Sequence, residues 1–70
     1  MKLDRISVNP KRMNGQPSVR NLRITVRRLM ELLAIYSDRA ELYQEFPEVE
    51  EEDIRQSLIF ASLYFGDRIA

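Results

Sequence analysis

Neither cysteine nor histidine occurs among these seventy residues, and that limits the fold more than any motif does. A chain this short buries only about 60% of the surface its unfolded form exposes. One core of that size rarely supplies more than ~3–5 kcal/mol, so small domains lean on disulfides, a metal or a partner chain. Disulfides are impossible here, and a structural zinc held by carboxylates alone is unusual. The staple left to this sequence is a partner. A homodimer or higher oligomer, or a complex with another protein, is therefore expected, with no cofactor and no metal.

The same absences bear on chemistry. Acid/base catalysis most often uses histidine, and the remaining candidates are carboxylates, lysine, tyrosine and hydroxyls. The acids gather at residues 48–53, where helix capping and solubility account for them. Nothing supplies a phosphate cradle for a magnesium site. No enzyme is expected. The opening MKLDRISVNP lacks the apolar stretch of a secretory leader. The longest uncharged run, residues 56–66, is shorter than the ~20 residues a bilayer helix needs. A cytoplasmic protein without membrane contact is the expectation.

Local pattern divides the chain into a ribbon over residues 1–25 and three helices over 26–66, all within one domain, 1–70. Ile6, Ser7 and Val8 show the period of a short strand, stopped by Asn9-Pro10. Asn14-Gly15 is a turn pair because both residues accept positive φ. Pro17 restricts the following strand to an edge or to its first residue. Leu22, Ile24 and Val26 alternate with Arg23 and Thr25. Thr25 then caps a first helix whose apolar face is Val26, Leu29, Met30 and Leu33, with Arg27 and Glu31 pairing outside. Asp38 and Glu41 lay out a capping box for a second helix, with Leu42 and Phe46 on its apolar stripe. Pro47 stops it.

A third helix starts near Glu51, where four acids suit the positive end of its dipole. Ile54, Leu58, Ala61 and Phe65 form its inward stripe, and Gly66 closes it. The fold class read from this order is mainly α (α+β): a short N-terminal β-ribbon followed by a three-helix, helix-turn-helix-like bundle.

Charge and hydropathy suggest two kinds of surface. Residues 1–35 carry eight bases against two acids, a net +6, and residues 36–70 carry three against nine, a net −6. Such asymmetry points to nucleic acid, to an oppositely charged protein, or to two halves that satisfy each other. Six bases between Lys11 and Arg28 meet no acid, so Arg20, Arg23, Arg27 and Arg28 are the candidate DNA contacts. The third helix opens with four carboxylates that would repel phosphate. Its later part, LIFASLYF, has apolar residues beyond the single face a core helix needs. Ile59, Phe60, Leu63 and Tyr64, with Arg68 beside them, are the candidate partner-binding residues; Ile54, Leu58 and Ala61 are assigned to the core.

The series Gly15-x-Pro17-x-x-Arg20, Arg23-Ile24, Phe46-Pro47 and Glu52-Asp53-Ile54-Arg55-x-x-Leu58-x-x-Ala61 resembles domain-of-unknown-function family 433, from about Ile6 to Ala61. That family is grouped with helix-turn-helix proteins. The resemblance implies an antitoxin-like module that masks a PIN-like ribonuclease toxin of the Mut7-C type, with possible operator DNA binding. A self-sufficient DNA-binding regulator and a homo-oligomeric scaffold are the competing classes. Gly15, Pro17, Phe46, Pro47, Ile54 and Leu58 are then structural motif positions, and Arg20 and Arg23 are expected in a structural or partner role first, with DNA contact second. Where the family has Gly-Thr between its arginines this chain has Asn21-Leu22; asparagine tolerates a left-handed backbone, so the turn is expected to survive.

Overall fold

The computed structural model describes residues 2–65, and turns rather than long ladders shape their first third. Three two-residue strands, β1 (Ile6–Ser7), β2 (Ser18–Val19) and β3 (Ile24–Thr25), form an antiparallel sheet in the order β1-β2-β3. Ile6 lies opposite Val19, and Val19 opposite Ile24. That register puts three aliphatic side chains in one row, and this row faces the core. Pro17, which has no N–H to give a ladder, stands just before the central strand; its carbonyl accepts from Val26 N at 2.9 Å. The alternation of Leu22, Ile24 and Val26 is not one strand. Leu22 N–H closes a turn onto the Val19 carbonyl, and Val26 opens the first helix.

Positive φ marks the turns. Asn14 (57°) and Gly15 (76°) adopt it as their residue types allow, and Met13 (51°) joins them. A Cβ on Gly15 would meet Pro10 Cα at 3.7 Å, an ordinary contact, so the backbone angle rather than crowding favours glycine there. In the β2–β3 turn the left-handed residues are Arg20 (47°) and Arg23 (59°), and Asn21 is not among them. Tertiary bonds override the local preference at Arg20, whose N–H is held by the Arg5 carbonyl at 2.8 Å. Asn21 instead accepts from Arg12 Nη1 at 3.1 Å. Left-handed backbone costs an L-residue ~1–2 kcal/mol, of which glycine recovers part at an entropic cost. Arg23 is exposed, so Arg23→Gly is expected to leave the fold intact and to stabilise it by up to ~1 kcal/mol. A raised urea midpoint at unchanged m-value is the check.

The helices follow at short intervals. In α1 (Val26–Ile35), Thr25 Oγ1 accepts from Arg28 N at 2.9 Å. In α2 (Arg39–Glu45), Asp38 Oδ1 accepts from Ala40 N at 2.9 Å, and the helix ends at Phe46 before Pro47. After a turn over residues 46–50 comes α3 (Glu51–Phe65). The domain is thus α+β and mainly helical, a short three-stranded sheet followed by three helices. Val19 and Ile24 of the sheet, Val26, Leu29 and Leu32 of α1, Leu42 of α2, Val49 and Ile54 form one core.

Two expected stripes are rotated. In α1 the fully buried partner of Leu29 is Leu32, while Met30 and Leu33 are half-buried, because α3 leaves the Met30 side open. Outside, Glu31 pairs with Arg28 at 3.3 Å rather than with Arg27. In α3, Leu58 is not core: it is 46% exposed. The positions turned inward are Asp53, Ile54, Gln56 and Ser57, three of them polar. Phe65's side chain, Gly66 and Arg68 lie outside the described residues.

Candidate interaction surface

The start of α3 has a specific task. Asp53 is fully buried, and both of its oxygens are saturated. Oδ1 accepts from Arg20 Nε at 2.8 Å and Arg5 Nη1 at 3.0 Å; Oδ2 accepts from Arg20 Nη2 at 2.6 Å and the Glu50 N–H at 2.8 Å. The Arg20 contact is the two-pronged guanidinium–carboxylate pair. The Glu50 contact is the return bond of a capping box at the helix N-terminus. Arg5 also reaches Glu50 Oε1 at 2.6 Å, and Arg20 reaches the Glu48 carbonyl at 2.8 Å. Gln56 completes the clasp: its Oε1 accepts from Arg5 N at 2.9 Å, and its Nε2 donates to Asp4 at 2.9 Å and Glu52 at 2.8 Å.

Two basic residues flanking the sheet are therefore bolted onto an acidic helix start, and part of the charge asymmetry is satisfied within the molecule. Burial pushes the Asp53 carboxyl up, but hydrogen bonds from Arg20, the Glu50 N–H and Arg5 outweigh it and hold the carboxyl below its ordinary range. A smaller tie joins α2 to α3. The Tyr43 hydroxyl donates to Glu51 Oε2 at 2.5 Å; this bond lowers Glu51 and raises the Tyr43 phenol.

The other end of α3 is different in character. Leu63 is 69% and Tyr64 72% exposed, and Leu58 joins them as a large apolar side chain facing water. Ile59 and Phe60 are half-buried, and Phe60 packs against the core cluster with its ring centroid 6.3 Å from that of Tyr64. Beside this end lies an apolar groove of about 510 Å³. Pro17, Val26 and Met30 line one side and Phe60, Ala61 and Tyr64 the other; Gln16 and Arg27 also border it. The candidate partner residues Phe60 and Tyr64 are thus brought together with Pro17, Met30 and Arg27, which pattern reading had placed elsewhere.

The four candidate DNA-contacting arginines separate. Arg20 is engaged by Asp53, and Arg28 pairs with Glu31. Arg23 and Arg27 are exposed, and among the described residues neither has a carboxylate within ion-pair distance. Of the structural positions, Gly15 closes the turn after Arg12, Phe46 packs edge-on to Tyr36 at 6.3 Å, Pro47 is exposed after it, and Ile54 is fully buried. Among the described residues no group of three or more acidic side chains is placed to hold a metal ion. No helix among them is long and apolar enough to cross a membrane.

A three-stranded turn-rich sheet clasped to the last of three helices, with an apolar end left over, defines a small α+β module with an exposed apolar face. A family model described as "Protein of unknown function (DUF433)" matches residues 6–61, and the chain belongs to that family. No curated protein and no solved structure matches it.

Proposed function

We propose that this chain is a non-catalytic, cytoplasmic protein-binding module of the antitoxin kind, which binds and silences a PIN-like ribonuclease of the Mut7-C type and self-associates as a dimer or larger oligomer. The observation that carries the binding role is the outer half of α3, where Leu58, Leu63 and Tyr64 face water beside an apolar groove. Large apolar side chains gathered on a soluble surface mark contact sites, and aromatic anchors dominate the energetics of such contacts. The nuclease class rests on the family resemblance. A nuclease that holds metal ions among carboxylates would draw an arginine to its entrance. Arg20 is engaged inside this domain, which leaves Arg23, exposed on a turn, as the better donor.

The test is co-expression with the nuclease encoded beside this chain, reading growth and RNA cleavage. Restored growth and a co-purified complex are expected, and Tyr64→Ser should weaken that complex by ~2 kcal/mol, the scale of an interface anchor. Persistent toxicity without a complex would put DNA regulation first. Arg23 and Arg27 favour that second reading as exposed cations without carboxylate partners among the described residues. Under it, Arg23→Ala with Arg27→Ala should lower the salt slope of DNA binding by about 0.9 for each lost phosphate contact.

A further inference from the structure

We propose that the groove between α1 and α3 is a slot for an amphipathic helix of a partner protein, one that carries a carboxylate placed to pair with Arg27. The inference rests on the protein-binding reading above, but not on the partner being a nuclease. Burial falls away along a single face of α3: Ile54 and Ser57 are fully buried, Ala61 is half-buried, and Tyr64 is open. These four share the helical spacing i, i+3, i+7, i+10. The core therefore runs out beneath Ala61 while its flanking wall, Met30 of α1, continues. Among the described residues the groove is that core continued without a third wall, and its volume of about 510 Å³ admits several side chains.

The lining dictates the occupant's chemistry. Among the described residues Arg27 is the one charged side chain bordering the groove, and it has no carboxylate partner among them. The matching segment is apolar with one negative charge at its edge. A strand laid here would leave backbone N–H and C=O groups against apolar walls without partners, a costly arrangement. A helix satisfies its own backbone and presents anchors at i, i+3, i+4 and i+7 to such a groove. A second copy of this chain fits less well. Among its described residues, exposed Leu58 and Leu63 lie in the stretch 56–65, which carries no carboxylate. Its exposed Ile35 lies one turn from Glu31, which Arg28 already holds.

The experiment titrates the isotopically labelled full chain with a synthetic helical peptide bearing leucines at i, i+3, i+4 and i+7 and one flanking glutamate, and with its lysine counterpart. Amide shifts are expected around Met30 and Ala61, with the glutamate peptide bound about tenfold more tightly, the size of one good charge pair. Arg27→Glu, an exposed change that spares the fold, should invert the preference, and Ala61→Glu should abolish binding of both peptides. Equal binding of the two peptides, or shifts confined to other faces, would overturn the proposal. So would a wild-type dimer that Ala61→Glu dissociates, since the second copy would then be the occupant. The two readings fail separately. A nuclease complex indifferent to Arg27→Glu removes the slot and keeps the antitoxin, whereas charge-selective peptide binding without a nuclease complex does the reverse.

Discussion

Asp53→Ala is expected to strip the domain of most of its stability, although it removes only one carboxylate. That group is fully buried and accepts four hydrogen bonds. Without it Arg5 and Arg20 face each other with no shared anion, and the Glu50 N–H loses its cap. Breaking a buried ion pair from one side costs ~3–5 kcal/mol. Both guanidiniums keep about a third of their surface open to water, so the loss falls near the lower end, ~3 kcal/mol. A domain of this size has only ~3–5 kcal/mol in total. Circular dichroism in urea should show no folded plateau, or one confined to the lowest concentrations. A plateau as long as wild type's would mean that the clasp is decorative. Arg20→Gly should be milder than Arg20→Ala by ~1 kcal/mol, because both remove the fork but only glycine relieves the left-handed backbone.

Acid should reveal the same group. The folded carboxyl sits below its ordinary range, so as pH falls the unfolded chain takes up the proton first. The contribution of Asp53 is then complete above the unfolded value of about 3.9 and drains away as pH drops from there through the folded value. Glu51 acts in the same direction through Tyr43. The urea midpoint of the wild type should hold from neutrality to about pH 4 and fall below it. Asp53→Asn, if enough of it folds, should show a shallower acid limb, and an unchanged limb would assign the acid sensitivity to other carboxylates.

Local signals carried the helix ends and turns into the sequence. Thr25, Asp38 and Asn14-Gly15 act through bonds or backbone angles within a few residues, and each does what its type allows. The clasp was hidden because its partners stand 33 and 48 residues apart along the chain. An acidic run at a helix start already had a sufficient local explanation in the dipole. Asp53, Gln56 and Ser57 do recur at i, i+3 and i+4, a polar stripe at helical spacing, but hydrophobic periodicity does not register it. Leu58 reads as inward for the same reason: an apolar residue four after Ile54 outweighs polar neighbours on any hydropathy pattern. The groove was invisible because its walls, Val26 and Met30 of α1 and Phe60 and Ala61 of α3, stand far apart along the chain and meet only in the fold.

Leu29→Ala and Leu63→Ala should separate the two jobs that leucines do here. Leu29 is fully buried within the cluster that joins the sheet and α1 to Ile54. Truncating it removes transfer energy and leaves a cavity, ~2–5 kcal/mol, comparable with the whole stability of a domain this small. Leu63, at 69% exposed, should cost no more than ~0.5 kcal/mol as a surface change. Partner capture should show the opposite order of directness: Leu63→Ala stays folded yet binds less, and Leu29→Ala loses binding only in proportion to its unfolded fraction. Urea titration of both variants, with binding corrected for the folded fraction, makes the comparison. If Leu63→Ala lowers the urea midpoint as far as Leu29→Ala does, the outer half of α3 belongs to the core and no apolar face is left for a partner. If it changes neither quantity, contact lies elsewhere on α3, with Phe60 and Tyr64 at the groove the next side chains to cut.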